Sequence, residues 1–306
     1  LLLASAGQAW PSSEAFITDQ KGDQLSVLDL ASGRIVATIK LAGHPAGIAM
    51  SSDGARAYVT CPDGRTLTVV DTTARKILAQ VSLPGGPLGV AVTPDGKMVY
   101  VADWYGDLVT PVEAESLKVL PPIKVGKSPS GLAVTPDGKM LVVADRLDDA
   151  LSLVDLATSR EVATVKVGAH PFGVTVDATG SRAYAADVES DDVAVVDLQS
   201  RSLVARLPTG RRPYVVALAG GKGFVTNELS GTLTAFDLAS LKPLGTITVG
   251  AYPEGIEAGA DGQHVYVANW MDDTVSVVDA GNLTVTSEVK AGDSPRAFGN
   301  FLRSIP

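Results

Sequence analysis

Short apolar runs recur along the whole chain, separated by clusters of Gly, Pro, Asp and Asn. Runs of this length bounded by turn residues read as β-strands rather than helices. The stretch from Val249 to Asp279 shows the unit most clearly. Pro253 opens it, Gly255 to Ala258 reads as a first strand, and Asp261-Gly262 as a hairpin turn. Val265 to Asn269, Thr274 to Asp279 and Leu283 to Val289 read as three further strands. An Asp-Gly pair between β-rich runs predicts a type I′ turn, in which both central residues take positive φ.

The unit occurs seven times. Its opening prolines are Pro45, Pro87, Pro129, Pro171, Pro213, Pro253 and Pro295, spaced 42 apart except for one interval of 40. The acids Asp29, Asp71, Glu113, Asp155, Asp197, Asp237 and Asp279, which close the third strand, keep the same spacing. In the fifth repeat Gly220-Gly221 replaces the Asp-Gly turn and accounts for the two missing residues. Self-similarity at such a period signals stacked supersecondary units. Two columns after the prolines say how they stack. One is small (Gly47, Gly89, Gly131, Gly173, Val215, Gly255, Ala297), and the next is large (Ile48, Val90, Leu132, Val174, Val216, Ile256, Phe298). A small residue lets inner strands crowd near an axis, and a large one fills the space between sheets. The expected fold is therefore an all-β, seven-bladed β-propeller with four antiparallel strands per blade. The N-terminal region supplies three strands (Ala15 to Thr18, Leu25 to Asp29, Ile35 to Ile39). One C-terminal strand, Arg296 to Leu302, is expected to join them and close the ring, removing the open edge.

Composition adds limits. The chain has 306 residues, 45% hydrophobic and 19% charged, and the repeat makes residues 10–306 one domain. A net charge of −9 disfavours nucleic acid as a general partner. The single cysteine, Cys61, excludes an intrachain disulfide, a Cys-rich zinc site and a Cys-x-x-Cys-His haem attachment. Residues 1–9, Leu1-Leu2-Leu3-Ala4-Ser5-Ala6-Gly7-Gln8-Ala9, read as the remnant of a signal peptide, with the mature chain beginning near Ser5 to Trp10. A periplasmic or secreted location is the expectation. No stretch offers the ~20 unbroken apolar residues of a membrane span.

The second-strand endings Tyr58-Val59-Thr60-Cys61, Tyr100-Val101-Ala102-Asp103, Phe224-Val225-Thr226-Asn227 and Tyr266-Val267-Ala268-Asn269, with the Pro-Asp-Gly and Val-Val-Asp segments, resemble the YVTN family of seven-bladed propellers. The resemblance runs from about Ala15 to the C-terminus. It implies the fold and an exported bacterial type of protein, and it says little about chemistry.

Seven internal copies allow comparison within one chain: a residue type found in most repeats is structural, and a departure is a candidate for function. Asp19, Asp103, Asp145 and Asp187, with Asn227 and Asn269, read as turn-formers satisfying local N–H groups, as do Asp23, Asp107, Asp149, Asp191 and Asp273. Asp29 and its equivalents read as turn caps. Cys61 stands in the Asp/Asn column and reads as a small buried hydrophobe. His264 reads as an exposed turn residue. His44 and His170 precede opening prolines three blades apart, too far to share a zinc ion. The clustered departures are His44, His170, Phe172, Arg211, Arg212, Tyr214, Tyr252, Glu254 and Arg296. Trp104, Tyr105, Arg146 and Trp270 join them from the loops between second and third strands. They are expected on one side of the axial mouth, where aromatics and arginines suit an anionic or aromatic ligand. The alternative is a solvated rim with an ion network of Arg212, Glu254 and Arg296.

Three function classes follow. The favoured one is an exported, non-catalytic binding or interaction propeller holding a protein or small anionic ligand at the axial mouth, acting as a monomer without metal or cofactor. The second is a lactonase- or lyase-like propeller enzyme, disfavoured because Glu254 is the only carboxylate flanking the prolines. The third, an accessory to a periplasmic quinoprotein or cytochrome redox system, is implied by family resemblance alone.

Overall fold

The computed structural model of the chain describes residues 13–304; the expected signal-peptide remnant and the cleavage region up to Trp10 lie outside them. Seven sheets radiate from an axis, five of them with the order of a simple antiparallel meander and two involving the C-terminal strands. Blade three is representative: Pro129–Val134, Met140–Asp145, Ala150–Asp155 and Arg160–Lys166 pair in sequence. Two single turns of 3-10 helix, Arg146–Asp148 and Glu228–Ser230, are the helical elements among the described residues. No helix there is long and apolar enough to cross a membrane.

Both columns behave as their sizes demand. A Cβ on Gly89 would lie 1.9 Å from the carbonyl oxygen of Ser130, and one on Gly47 would lie 2.2 Å from that of Leu88. The backbone of the next blade thus occupies the space a side chain would need. Ile48, Val90, Val174, Val216 and Ile256 are buried in clusters that span neighbouring sheets.

The hairpin expectation needs correction. Among the Asp-Gly pairs only the glycine takes positive φ (Gly54 +67°, Gly96 +69°, Gly138 +70°). The aspartate instead caps the turn, as Asp95 accepts from Thr93 Oγ1 and Lys97 N–H. The shorter fifth repeat alone pairs Ala219 directly with Lys222, with both Gly220 and Gly221 at positive φ. Two fewer residues leave room only for the two-residue turn that requires glycine's freedom.

Ring closure occurs at the expected place, through a divided strand. Leu302–Ser304 pairs antiparallel with Ser13–Asp19, completing the four-stranded seventh blade with Gln24–Asp29 and Arg34–Lys40. Phe298–Asn300 leaves that blade and pairs parallel with Gly47–Met50 of blade one. In blade three Val134, five residues after its proline, sits opposite Leu141; in blade seven Leu302, seven after Pro295, sits opposite the equivalent Ala15. Two extra residues therefore form a bulge at the seam. Glu257 holds it, its carboxylate accepting the N–H groups of Phe301 (2.5 Å) and Leu302 (2.6 Å) and Asn300 Nδ2 (3.1 Å). As a result Phe298 packs at the axis instead of between sheets, and Phe301, fully buried beside Phe16 and Ile17, fills the inter-sheet space.

Candidate functional site

The residues that follow the opening prolines are Ala46, Leu88, Ser130, Phe172, Tyr214, Glu254 and Arg296. Ala46, Leu88, Phe172 and Tyr214, from four different blades, share one buried cluster with Phe298, which places them at the centre. Phe172 stacks on Tyr214 with ring centroids 4.1 Å apart, and Phe298 lies 4.9 Å from Phe172. These three rings plug the channel. Below the plug is a funnel of about 420 Å³ with small apolar walls, where Glu257 is the sole ionisable lining residue. Above it, an open cavity of about 210 Å³ is lined by Trp104, Tyr105, Phe172, Leu88, Gln20 and Arg296, among others.

Two backbone devices set the mouth. The residue before six of the seven prolines, His44, Ser128, His170, Arg212, Tyr252 and Ser294, takes a left-handed conformation, and ahead of Pro87 it is Gly85 that does. A carboxylate of the preceding blade holds most of these: Asp23 accepts from His44 N–H, Asp149 from His170, Asp191 from Arg212 and Asp273 from Ser294. These acids therefore tie blades together instead of closing their own turns. The same carbonyl then receives the first N–H of the loop between second and third strands. Trp104 N–H donates to Gly86, Arg146 to Ser128, Glu228 to Arg212 and Trp270 to Tyr252. Each loop is thereby fixed beside a particular opening residue, and Glu228 arrives next to Arg212.

The second acid column is also long-range. Asp103 accepts from Gly86 N–H and Asp187 from Gly168 N–H, while Asp19 and Asp145 accept from Ser26 and Ser152 hydroxyls. All four are buried. Burial lifts Asp19 to about 6 and Asp145 to about 7. Burial, with Asp192 alongside, raises Asp187 as well. The caps at Asp29, Asp155, Asp197 and Asp237 are local, as expected, each accepting from a Ser or Thr three residues on.

At the mouth the charges are paired. Arg296 Nε lies 3.0 Å from Glu254 Oε2, and Arg296 Nη2 donates to the Tyr214 hydroxyl at 2.5 Å. Arg212 Nε lies 3.1 Å from Glu228 Oε2. In both ion pairs the atoms are close but misaligned, so Arg212 Nε, Glu228 Oε2, Glu254 Oε2 and Arg296 Nε are buried without a hydrogen-bond partner. Burial, outweighing the attraction of Arg296, lifts Glu254 to about 7, and it raises Glu228 as well. The Tyr214 phenol is pushed up by burial and Arg296 is raised by Glu254. Among the described residues no protein group accepts from Arg296 Nη1.

The remaining candidates spread outward. Arg146 sits over the Trp104 ring at 5.5 Å, and Tyr252 lies 6.4 Å from Trp270. Trp270 Nε1 donates to Gln20, and Lys21 Nζ sits 4.2 Å from its ring centroid. Arg211 is exposed, its backbone held by Ser230. His44 is exposed and bonded to Asp63 (2.6 Å), which raises its pKa, while His170 Nδ1 is 4.0 Å from Glu189. His264 is half-buried against Asp261 at 2.8 Å rather than exposed. Cys61 is buried near Thr68, its thiol pushed up by burial. No group of three His, Cys, Asp or Glu able to hold a metal occurs among the described residues. Sequence reasoning missed Glu228 and Glu257. The first could have been found from the constant offset of 18 between opening and loop residues, shortened to 16 in the fifth repeat.

The class defined by this geometry is a seven-bladed propeller with an aromatic plug and a charged mouth. A family described as "Lactonase, 7-bladed beta-propeller" matches residues 112–207, about a third of the chain. No curated protein sequence matches the chain significantly. Among solved structures, Kuenenia stuttgartiensis hydrazine synthase is similar with a TM-score of 0.76 and 21% identity, over 83% of this chain and 89% of that one. A functionally unknown protein from Desulfotomaculum acetoxidans gives 0.79 at 14% identity, over 93% and 99%. Dihydro-heme d1 dehydrogenase NirN, in complex with DHE, gives 0.71 at 19% identity, over 94% of this chain and 66% of that one. At these identities the likeness is one of fold.

Proposed function

We propose that the chain is an exported, non-catalytic binding propeller that holds a small anionic ligand at its axial mouth. The observation that carries this reading is the state of Arg296. Its Nη2 donates to Tyr214, its Nε lies 3.0 Å from Glu254, and it lines an aromatic-walled cavity with no acceptor for Nη1 among the described residues. A guanidinium fixed on one edge and open on another is preorganised for an oxyanion. The loop tips Tyr105, Leu147, Leu229 and Met271, all exposed on the same face, could cover a bound ligand or meet a protein. Native mass spectrometry of the gently purified protein tests the reading. Arg296→Ala should lose a co-purified anion or weaken it by about 1.5–3 kcal/mol, while Lys127→Ala, at an exposed ion pair with Asp148, should not. An anion retained equally by both variants would refute the proposal.

One observation favours a second reading. Glu254 at about 7, beside Arg296, has the poise of a general base, and the lactonase family matches part of the chain. Turnover of a simple lactone that disappears in Glu254→Gln would favour it; absence of turnover in the wild type would remove it.

A further inference from the structure

We infer that the mouth cavity takes a planar aromatic monocarboxylate, and that binding draws one proton from solvent onto Glu254. The inference rests on the anion-binding reading above and goes beyond it in ligand class and in proton linkage.

The walls set the ligand class first. The open cavity of about 210 Å³ has room for one six-membered ring with a carboxylate, since ~150 Å³ suffices for benzene. The walls suit a ring: Trp104 and Phe172 meet at 59° with centroids 5.9 Å apart, and Leu88 adds an aliphatic surface. Arg296 is the one cationic side chain in the lining.

Charge then dictates the proton. The groups facing Glu254 are Arg296 and Tyr214, with Arg212 and Glu228 beyond them. Two guanidinium groups and two carboxylates balance, so the buried cluster is neutral before anything binds. A further carboxylate would leave one uncompensated negative charge in a desolvated site, which is costly. Protonating one resident carboxylate restores the balance. Glu254 is the suited one: it is buried, it touches the arginine the ligand must reach, and its Oε2 lacks a hydrogen-bond partner. Its carboxyl already stands at about 7, so the proton is nearly in place at neutral pH. The ligand carboxylate replaces Glu254 as the counter-ion of Arg296, and the neutral acid keeps its position.

Benzoate is the probe, with calorimetry in phosphate and in Tris buffers between about pH 6.5 and pH 8.5. Proton uptake by the wild type should rise from at most about a quarter of a proton at pH 6.5 to close to one at pH 8.5, and its affinity should fall with pH, approaching about tenfold per unit above about pH 8. Glu254→Gln, an isosteric change checked by thermal melting, should bind benzoate with less than about twofold change across that range and no proton uptake. Cyclohexanecarboxylate and succinate should bind about tenfold more weakly than benzoate, for want of a flat ring. Benzoate binding without proton uptake would overturn the linkage while leaving the anion reading intact, as would uptake that persists in Glu254→Gln and vanishes in Glu228→Gln. Succinate or inorganic phosphate binding as tightly as benzoate would overturn the aromatic class. No binding of any of these anions would overturn the inference, and no co-purified anion either would take the proposed function with it.

Discussion

Asp145→Asn should stabilise the protein at alkaline pH and leave it nearly unchanged in acid. The side chain is fully buried, with Oδ2 accepting from Ser152 at 2.6 Å and Oδ1 lacking a partner. The loop presses on it so closely that a Cβ on Gly126 would sit 2.6 Å from its carboxyl carbon. Blades five and six carry the amide at this position. Asn227 accepts from Gly210 N–H and donates to Thr234, and Asn269 donates to Ser276, the residue equivalent to Ser152. The amide is therefore compatible with the local backbone and has a hydroxyl to bond. Burial raises the Asp145 carboxyl from 3.8 to about 7. A folded-state pKa above the unfolded one means that the folded protein holds the proton more tightly, so stability falls as pH rises from about 4 to about 7 and then levels. At ~1.4 kcal/mol per unit, the ionised group costs about 4 kcal/mol at pH 8. Asp145→Asn should recover most of that, raising the melting temperature by roughly 5–8 °C at pH 8, and should change stability by less than ~1 kcal/mol near pH 4.5. Thermal and urea unfolding at the two pH values measures this. A variant less stable than wild type at pH 8 would show that the carboxylate is ionised and required, and the reasoning would fail.

The same linkage extends to the whole molecule. Asp19, Asp187, Glu254 and Glu257 are raised like Asp145, whereas the turn caps such as Asp29, Asp155 and Asp237 are lowered by their hydrogen bonds. Stability should therefore peak near about pH 4, where the caps have ionised and the buried carboxyls are still protonated in both states, and should fall as pH rises toward about 7–8; urea midpoints that rise steadily to pH 8 would contradict this. Phe301→Ala should cost ~3–5 kcal/mol, because the ring is fully buried between the seventh blade and its neighbours; an unchanged urea midpoint would show the seam misassigned. Glu257→Ala should free the N–H groups of Phe301 and Leu302 and speed their hydrogen exchange at least tenfold, with blade-three amides unaffected.

The blades were legible because each column had seven copies, and a repeated size pattern has few packing solutions. Small-then-large after the prolines means close backbone approach and inter-sheet filling, and both were found. The seam was half legible. Phe298 occupies the large-residue column by numbering, but the two-residue bulge moves that role to Phe301, and no eighth copy exists to reveal the shift. The turn error has a similar source: Asp-Gly is shared by type I′ turns and by longer turns that need only one positive φ, and pattern alone does not count the residues between paired strands. Arg212, Glu254 and Arg296 stood out as departures, whereas Glu228 did not. Its column reads Gln20, Pro62, Trp104, Arg146, Val188, Glu228, Trp270, so there was no common type to depart from.

Why the chemistry gathers at the axis follows from the geometry of the repeat itself. Elsewhere each side chain meets the equivalent neighbour one blade on, so the same residue can serve seven times. The residues after the prolines meet all at once, and seven identical large side chains would collide while seven small ones would leave an open hole. A closed axis requires unequal members, here Ala46 and Ser130 yielding to Phe172 and Tyr214. The asymmetry is sharpest where the termini meet. There Arg296 follows the last proline, its N–H bonded to the Thr18 carbonyl, and its carbonyl accepts from Gly255 in blade six. The backbone at the seam is thus fixed on both sides, which holds the guanidinium at the rim while Phe298, two residues on, completes the plug beneath it. Packing of the centre and placement of Arg296 are consequences of the same seven-fold crowding.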